Sequence, residues 1–470
     1  MRIDPGSIPG MRVTVMGLGV NGGGLASAQF FARRGATLTV TDLRDEKALA
    51  ESISRLASFP VRYVLGRHEE SDFVNADVVI KNPGVATSSP YLTAAREHDV
   101  AIETDLSVFL SIARNPIIGV TGSKGKSTTA SAIAFGLSRI DPRSRLGGNI
   151  TVSPLSFVDD LAGDAPVVLE LSSWQLGDLR GRGLLAPVVS AFTIILRDHM
   201  DKYSGMGDYI ADKMVLVQGQ TRNQKAVFNL DDPWQRPFPR QTASRTYYYS
   251  REELPDGLAG GWLEPGRGMG MTVAGETPRQ ILGSALIPGE HNRMNLLCAG
   301  LCLQLYGVKA EVIRKALSEF PGVEHRLEMF VESDGVRYYN DSAATIPDAT
   351  AEGLKSLPEP VVLILGGTDK NLDFSPLRDV VKLPSAVVLL EGSATRKVLP
   401  LLEEQGVPYE GPFDTLDRAI DVAMGKARDA VGPRGSSVLF SPGCTSFGMF
   451  ANEFDRGRKF KEAVKARLAR

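Results

Sequence analysis

Short, nearly continuous apolar runs recur along the chain, and each is followed by a turn and a segment with helical spacing. Such runs are typical of strands that are buried on both faces of a parallel sheet. The runs lie at residues 12–16, 37–41, 77–80, 100–103, 117–121, 166–169, 191–196, 227–230, 361–365, 386–390 and 437–441. Their alternation with helical segments predicts an α/β fold built from doubly wound units.

The chain length of 470 residues is too large for one hydrophobic core, so we expect several domains. We predict a Rossmann-like domain at residues 1–114, a central α/β domain at 115–322 and a second Rossmann-like α/β domain at 323–470. A hairpin at 328–340 begins the third domain. The basic, amphipathic helix at 454–469 is expected to be a solvated outer helix.

Composition narrows the class of protein. Hydrophobic residues make up 43% and charged residues 23% of the chain, which is typical of a soluble globular protein. The net charge of −2 gives no electrostatic reason to expect nucleic acid or an anionic membrane as a partner. The three cysteines have no metal-ligand spacing, and we see neither an apolar signal core nor a run of about 18 apolar residues. We therefore expect a cytoplasmic protein.

A glycine-rich loop follows the apolar run at residues 117–121. It reads Gly122-Ser123-Lys124-Gly125-Lys126-Ser127-Thr128 and leads into small residues at helical spacing. In such a unit, backbone N–H groups and the helix N-terminus bind phosphate, the lysine reaches the terminal phosphates and the serine hydroxyl faces Mg²⁺. Val120 stands where the full motif has its first glycine, and an ordinary strand–turn–helix is the alternative. The loop predicts a bound nucleoside triphosphate.

Two further apolar runs end in residues that can contact a metal ion. Glu170 follows the run at 166–169, and Asp198-His199-Met200-Asp201 follows the run at 191–196. Because the carboxyl ends of parallel strands share one edge of a sheet, Glu170 is placed for a role with Mg²⁺. A surface ion pair for Glu170 and a structural role for His199 are the alternatives. The local sequence of Lys213 indicates a surface lysine in a helix.

A second glycine pattern follows the first apolar run. Gly17, Gly19 and Gly22 form G-x-G-x-x-G, and Asp42 ends the next strand. This is the fingerprint of a dinucleotide site, although such units also bind other nucleotides or no ligand. Further along, four residues are candidates for contacts with a base, a ribose or a γ-phosphate, or for helix caps in the case of the asparagines: Asn292, Asn295, Arg326 and Asp341.

Together these motifs resemble those of the ATP-dependent Mur ligases of peptidoglycan synthesis. The matching stretches are Thr121-Gly122-x-x-Gly125-Lys126-Ser127-Thr128, Glu170-Leu171-Ser172-Ser173-Trp174-Gln175, Asp198-His199-Met200-Asp201, Gly289-x-His291-Asn292-x-x-Asn295 and His325-Arg326-Leu327-Glu328. Within that family, a second set of stretches favours the addition of D-glutamate to UDP-N-acetylmuramoyl-L-alanine. These are Gly17-Leu18-Gly19, Asp42-x-Arg44, Tyr339-Asn340-Asp341-Ser342, Leu365-Gly366-Gly367-x-x-Lys370, and Ser441-Pro442 through Ser446-Phe447 to Arg456-Gly457.

The resemblance implies a role for each domain and an amide-forming reaction. The first domain would hold the UDP of the acceptor, with Asp42 and Arg44 near the uracil. The central, P-loop-type domain would bind ATP, and the third would bind the incoming amino acid. ATP would phosphorylate the acceptor carboxylate, and the amine of glutamate would attack the resulting acyl phosphate.

The resemblance also implies the residues that carry these roles. The catalytic residues would be Lys126, Glu170, His199 and Lys213. Two Mg²⁺ ions would be held by Ser127, Glu170, His199 and a Lys213 that is carbamylated on Nζ. The ATP-binding residues would be Gly122, Ser123, Lys124, Gly125, Lys126, Ser127, Thr128, Asn292, Asn295, Arg326 and Asp341. The substrate-binding residues would be Asp42, Arg44, Asn149, Ser172, Gln175, Thr345, Lys370 and Ser446. The protein is expected to be a monomer.

Three positions depart from the family pattern. Ala343 replaces a usual lysine, Ile194 replaces a usual asparagine, and Glu453 stands where an aromatic residue is common. L-glutamate addition, another Mur ligase activity and folylpolyglutamate synthesis are therefore alternatives. A nucleotide-dependent oxidoreductase, on the G-x-G-x-x-G pattern, and a regulatory nucleotide-binding module are alternatives from other classes.

Overall fold

The computed structural model describes residues 3–19, 22–150, 152–198, 203–273, 278–357, 360–369, 372–446 and 449–469. The chain forms two compact units, one of Met1–Gly283 with Met294–Leu317 and the other of Ser284–Arg293 with Ser318–Arg470. The first unit contains two β-sheets and the second contains one. The predicted α/β class is therefore confirmed. The predicted domain boundaries near 114 and 322 stay a prediction.

The first sheet has five parallel strands in the order β3-β2-β1-β4-β5. The strands are β1 (Arg12–Met16), β2 (Thr37–Asp42), β3 (Val61–Leu65), β4 (Val78–Lys81) and β5 (Ala101–Glu103). The helices are α1 (Gly23–Arg33), α2 (Glu46–Ser54), α3 (Ser71–Val74), α4 (Pro90–Glu97) and α5 (Asp105–Ile112). Strand β3 was missed because polar and apolar residues alternate along it, so it lacks the apolar run that marks its neighbours.

The second sheet has nine strands in the order β14-β13-β12-β11-β10-β9-β6-β8-β7. The strands are β6 (Ile117–Thr121), β7 (Arg145–Gly148), β8 (Val167–Glu170), β9 (Val189–Phe192), β10 (Lys225–Asn229), β11 (Arg245–Ser250), β12 (Gly260–Leu263), β13 (Gly270–Thr272) and β14 (Arg279–Leu282). The helices are α6 (Lys126–Ser138), α7 (Ser173–Gly177), α8 (Met206–Gln218), α9 (Glu290–Tyr306) and α10 (Ala310–Glu319). Strands β7 to β12 are parallel to β6, and β13 and β14 complete an antiparallel edge.

Strand β6 lies between β8 and β9, and all five of its residues are buried. Glycines allow helices to pack closely against it. A Cβ atom on Gly119 would lie 2.6 Å from Leu216 Cδ1 of α8, and one on Gly136 of α6 would lie 2.4 Å from Leu303 Cδ1 of α9. The centre of this sheet is therefore tightly enclosed, and the carboxyl ends of β8, β6 and β9 lie side by side.

The third sheet has six strands in the order β15-β16-β20-β17-β18-β19. The strands are β15 (Glu328–Ser333), β16 (Val336–Asn340), β17 (Val361–Leu365), β18 (Ala386–Leu390), β19 (Tyr409–Phe413) and β20 (Ser436–Phe440). The helices are α11 (Pro347–Lys355), α12 (Thr395–Glu404), α13 (Leu416–Asp429) and α14 (Glu453–Leu468). The predicted hairpin is β15–β16, and the other neighbours are parallel. Hydrophobic clusters cover both faces, as expected for a doubly wound sheet.

Three predictions about individual elements were wrong. Strand β9 ends at Phe192 rather than Leu196, because the chain turns there to pair with the glycine loop. Helix α9 begins at Glu290, so the two asparagines lie inside it and are not its caps. Helix α14 is not simply a solvated helix, because it buries the whole of Arg456. In the part of the chain that the structure describes, no helix is long and apolar enough to cross a membrane.

Candidate active site

The glycine-rich loop between β6 and α6 has a backbone that only glycine adopts without strain. Gly122 has φ 150° and Gly125, which precedes the first residue of α6, has φ 85°. A Cβ atom on Gly122 would lie 1.9 Å from Thr193 Oγ1, and one on Gly125 would lie 2.3 Å from Asn295 Oδ1. The loop therefore presents bare backbone at the N-terminus of a thirteen-residue helix, which is the geometry that binds phosphate.

Lys126 begins α6 and folds back over the loop. Its Nζ donates a hydrogen bond to the Ser123 carbonyl oxygen at 2.9 Å. Ser123 is buried, and its hydroxyl contacts the Tyr209 hydroxyl at 2.9 Å. Ser127 and Thr128 lie half-buried in the first turn of α6, and Lys124 is exposed. The loop thus has a cation at its surface and a fixed polar group beneath it.

Glu170 is the last residue of β8 and is 1% exposed. Strand pairing places it opposite Val120, directly before the glycine loop. Its Oε1 accepts a hydrogen bond from Asn149 Nδ2 at 2.9 Å, while Oε2 has no hydrogen-bond partner among the described residues. A buried carboxylate oxygen without a partner is costly. The arrangement fits a cation beside Oε2, and it places Asn149 against this carboxylate.

Lys213 lies on α8, and the structure corrects its interpretation as a surface lysine, since its side chain is 1% exposed. Its Nζ donates to the Gly122 carbonyl oxygen at 2.8 Å and lies 4.3 Å from the centre of the Tyr209 ring. Burial, followed by repulsion from Lys126, lowers the pKa of the amine to about 6. The neutral amine therefore predominates at physiological pH.

Two of the predicted catalytic and substrate residues, His199 and Lys370, lie outside the described residues. Asp198, the last described residue before His199, is half-buried. Its charge raises the pKa of Tyr209, although burial is the larger cause of that rise to about 12. The end of β9 therefore brings a carboxylate into the electrostatic range of the loop.

Ser172 and Gln175 begin helix α7 and hydrogen-bond each other. The Ser172 hydroxyl accepts from the Gln175 N–H at 3.2 Å, and Gln175 Oε1 accepts from the Ser172 N–H at 3.1 Å. This reciprocal capping box fixes the turn that follows Glu170. It assigns both residues a structural contact at the place where the sequence predicted substrate contacts.

A cavity of about 550 Å³ lies close to this turn in the first unit. It is lined by the turn at residues 83–88 after β4 and by side chains that include Trp174 and Asp212. The ion pair between Lys81 Nζ and Asp178 Oδ2, at 2.8 Å, links the first sheet to the second at its wall. The cavity thus has a polar lining beside the β8 end of the second sheet.

Asp42 ends β2 in the first sheet and is 6% exposed. Its carboxylate accepts hydrogen bonds from the Gly19 N–H at 3.0 Å and the Arg44 N–H at 2.9 Å. The side chain of Asp42 therefore holds the glycine loop after β1 and the turn after β2 together. Arg44 itself is exposed.

In the second unit, Arg326 is exposed on a turn whose flanking residues have positive φ, His325 at 65° and Leu327 at 46°. The Leu327 N–H donates to Asp341 Oδ1 at 2.9 Å, and Glu328 Oε2 accepts from the His325 N–H at 2.9 Å. The turn is therefore held by two carboxylates. Burial raises the pKa of Asp341 to about 6, despite a hydrogen bond from the Ser441 hydroxyl.

Asn292 and Asn295 lie on α9 and are engaged differently. Asn292 Nδ2 donates to the Pro288 carbonyl oxygen at 2.7 Å, in the second unit. The Asn295 side chain lies against Gly125, in the first unit. The structure therefore brings Asn295, but not yet Asn292, to the glycine loop by a contact within one unit.

A smaller cavity of about 100 Å³ lies at the carboxyl ends of β17 and β18. Ser446, which is buried, and Arg456 contribute to its wall. The Arg456 guanidinium donates to the Ser342 carbonyl oxygen at 2.7 Å and to the Cys444 carbonyl oxygen at 3.1 Å. Thr345 is half-buried in the turn before α11. The cavity is a candidate site for a small polar ligand.

Sequence reasoning gave no role to Tyr209, which links the loop to Lys213. The available signal was spacing, since residues four apart on a helix share one face. It also gave no role to Asp232 and Gln235, which support the segment after β9 from a distant part of the chain. No local pattern marks these two residues.

Two family models match this chain. The "Mur ligase middle domain" matches residues 120–303, and "Mur ligase MurD-like, N-terminal domain" matches residues 11–104. The second match covers the G-x-G-x-x-G unit that also suggested an oxidoreductase.

Several curated relatives match over nearly their whole length. The UDP-N-acetylmuramoylalanine--D-glutamate ligase of Treponema pallidum (strain Nichols) is 37% identical, over 97% of this chain and 98% of its own. Those of Roseiflexus sp. (strain RS-1), at 38%, and Borreliella afzelii (strain PKo), at 39%, cover 98% and 99% of this chain and 99% of their own.

Solved structures share the fold at low identity. The UDP-N-acetylmuramate-alanine ligase MurC from Thermotoga maritima has a TM-score of 0.63 at 19% identity and covers 97% of this chain and 100% of its own. The MurF ligase from Thermotoga maritima, in complex with ADP, has a TM-score of 0.56 at 17% identity and covers 99% and 97%.

Proposed function

This chain belongs to the Mur ligase family, and on that premise we propose that it joins D-glutamate to UDP-N-acetylmuramoyl-L-alanine while ATP is converted to ADP and phosphate. The observation that carries the proposal is the full-length identity to ligases of that name. The glycine loop, the buried Glu170 and the buried Lys213 support it. We propose that the protein acts in the cytoplasm as a monomer, with neither nucleic acid nor membrane as a partner.

The reaction needs activation because a carboxylate at neutral pH is a poor electrophile. The acceptor carboxylate attacks the γ-phosphorus of ATP, the bond to ADP breaks, and an acyl phosphate forms. The glutamate amine then attacks the acyl carbon, loses a proton and expels phosphate. The first step requires positioning and neutralisation of charge more than covalent help from the protein. The N–H groups of residues 122–128 and the Lys126 ammonium supply both.

We propose that Glu170 and the Ser127 hydroxyl hold Mg²⁺ at the phosphates, and that His199 and a modified Lys213 hold a second ion. The unpartnered, buried Oε2 of Glu170 supports the first assignment. Mg²⁺ bound there would neutralise charge on the phosphoryl oxygens. Asn149 orients the Glu170 carboxylate through its 2.9 Å hydrogen bond.

The environment of Lys213 supports its carbamylation. Carbamylation requires the neutral amine, whose nitrogen attacks CO₂ and loses a proton to give an anion. Burial lowers the amine's pKa to about 6, so that form predominates above pH 6. Its nearest polar neighbour is the Gly122 carbonyl oxygen. Carbamylation would convert an amine beside the phosphate loop into a metal ligand.

The two substrates are proposed to approach from different domains, at 1–114 and 323–470. Asp42 and Arg44 would lie at the uracil, and Ser172 and Gln175, beside the 550 Å³ cavity, would face the muramoyl part. Thr345, Lys370 and Ser446 would bind the glutamate carboxylates. Asn292, Asn295, Arg326 and Asp341 would bind the nucleoside and γ-phosphate of ATP.

The deciding experiment measures phosphate release and amide product from ATP, UDP-N-acetylmuramoyl-L-alanine and glutamate. Phosphate release should require all three, with D-glutamate preferred over L-glutamate. Turnover of ATP without glutamate, or without an amide product, would refute the proposal. Product formation with a folate acceptor or another amino acid would support the alternatives instead.

A further inference from the structure

We propose that Asp232 and Gln235 are positioning residues for the ATP site, although neither lies in the glycine loop. They act through residues 193–196, which we call the strap. The strap links the end of β9 to Asp198 and runs beside the glycine loop. The inference rests on the proposed use of ATP.

One side of the strap is bonded to the glycine loop. The Ser123 N–H donates to the Ile194 carbonyl oxygen at 2.7 Å, and the Leu196 N–H donates to the Ser123 hydroxyl at 2.9 Å. Thr193 Oγ1 occupies the space that a side chain at Gly122 would need. The position of the strap therefore determines where the loop's backbone lies.

The other side of the strap is bonded to the turn after β10. Asp232 Oδ2 accepts a hydrogen bond from the Ile195 N–H at 2.7 Å and another from Gln235 Nε2 at 2.8 Å. Gln235 Nε2 also donates to the Thr193 carbonyl oxygen. The two side chains, 3% and 1% exposed, thus bind two of the four strap residues from behind.

The turn itself is rigid. The Asn229 N–H donates to Gln235 Oε1 at 2.9 Å, and the Trp234 N–H donates to Asp232 Oδ1 at 3.0 Å. Both oxygens of the Asp232 carboxylate and both ends of the Gln235 amide are therefore used. Because buried polar groups are costly to leave without partners, a change at either residue should move the strap. The loop and Asp198 would move with it.

Asp231 provides a matched control. It is the neighbouring carboxylate on the same turn, but it bonds the Ser250 hydroxyl at 2.8 Å and the Arg251 N–H at 2.9 Å, both at the end of β11. Asp231→Asn thus perturbs the same turn and leaves the strap contacts unchanged. A purely structural role for the turn predicts equal effects of the two substitutions.

The experiment compares Asp232→Asn, Gln235→Met and Asp231→Asn in the full-length protein. The affinity for MgATP is measured by titration calorimetry, KM for each substrate by phosphate release, and thermal stability by calorimetry. We expect the first two variants to bind MgATP about tenfold more weakly, the usual scale for loss of a supporting partner. Their KM for the UDP-linked acceptor should be unchanged, and Asp231→Asn should bind MgATP like the wild type.

Equal MgATP affinities for Asp231→Asn and the two strap variants would overturn the inference. So would an equal rise in the KM of both ATP and the acceptor, which indicates general loosening. If Asp232→Asn does not fold, Gln235→Met decides the question alone. A wild type that binds MgATP but forms no amide would refute the proposed function only, while the comparison of affinities would still test the strap.

Discussion

The substitution Lys213→Met should remove a pH-dependent destabilisation of the first unit. Burial lowers the pKa of this amine from 10.5 to about 6, whereas the unfolded chain restores its ordinary value. Between these two values the unfolded state binds one proton more than the folded state. The free energy of unfolding of the wild type therefore rises with pH across this window.

The magnitude follows from the proton difference. One proton contributes about 1.4 kcal/mol to the free energy of unfolding for each pH unit, or about 2.7 kcal/mol between pH 7 and pH 9. Methionine fills a similar volume and does not titrate. The stability of Lys213→Met relative to the wild type should therefore fall by about 2.7 kcal/mol between pH 7 and pH 9.

Urea unfolding of both proteins at the two pH values, in buffers freed of CO₂, measures this change. Removal of CO₂ keeps the amine unmodified. Lys309→Met is the control, since Lys309 is exposed and its replacement should leave the pH dependence unaltered. An identical pH dependence for Lys213→Met and the wild type would show that the amine stays protonated in the folded protein, and the burial argument would be wrong.

Three further predictions concern the same site. Lys213→Ala should lose nearly all ligase activity and regain part of it with acetate or propionate, whose carboxylates replace the carbamate; full activity without them would contradict the proposed modification. Gly125→Ala should cost about 1–2 kcal/mol for the left-handed backbone and weaken MgATP binding through contact with Asn295, whereas Gly163→Ala, with no atom within 4 Å, should do neither in melting and binding measurements. Glu170→Gln should raise the Mg²⁺ concentration needed for half-maximal activity about tenfold or more, measured at saturating ATP, and an unchanged requirement would remove Glu170 from the metal site.

The parallel architecture could be predicted from the sequence because buried strands leave continuous apolar runs. Strand β6 and the loop after it are read directly from residues 117–128. Strands β11 to β14 could not be read in this way, since their half-buried, glycine-rich segments lack such runs. The prediction succeeds where burial on both faces dictates composition and fails at the edge of the sheet.

The candidate site was predictable only where its residues are adjacent in sequence. The environment of Lys213 depends on Gly122, on another element and about ninety residues away, so its burial and lowered pKa have no local signature. Asp232 contacts the strap across a similar gap in the chain. The resemblance assigned roles to residues, but the contacts that sustain those roles are tertiary.

The order β8-β6-β9 at the centre of the second sheet has a consequence for the tolerance of the protein to insertions. The three strand ends that carry Glu170, the glycine loop and the strap are neighbours because backbone hydrogen bonds pair their strands, whatever the length of chain between them. Doubling the length of a flexible surface connection costs only about 0.6 kcal/mol in closure entropy. The connections at residues 139–144 and 161–166, which leave and enter the sheet away from these ends, should accept several added residues with little loss of ligase activity.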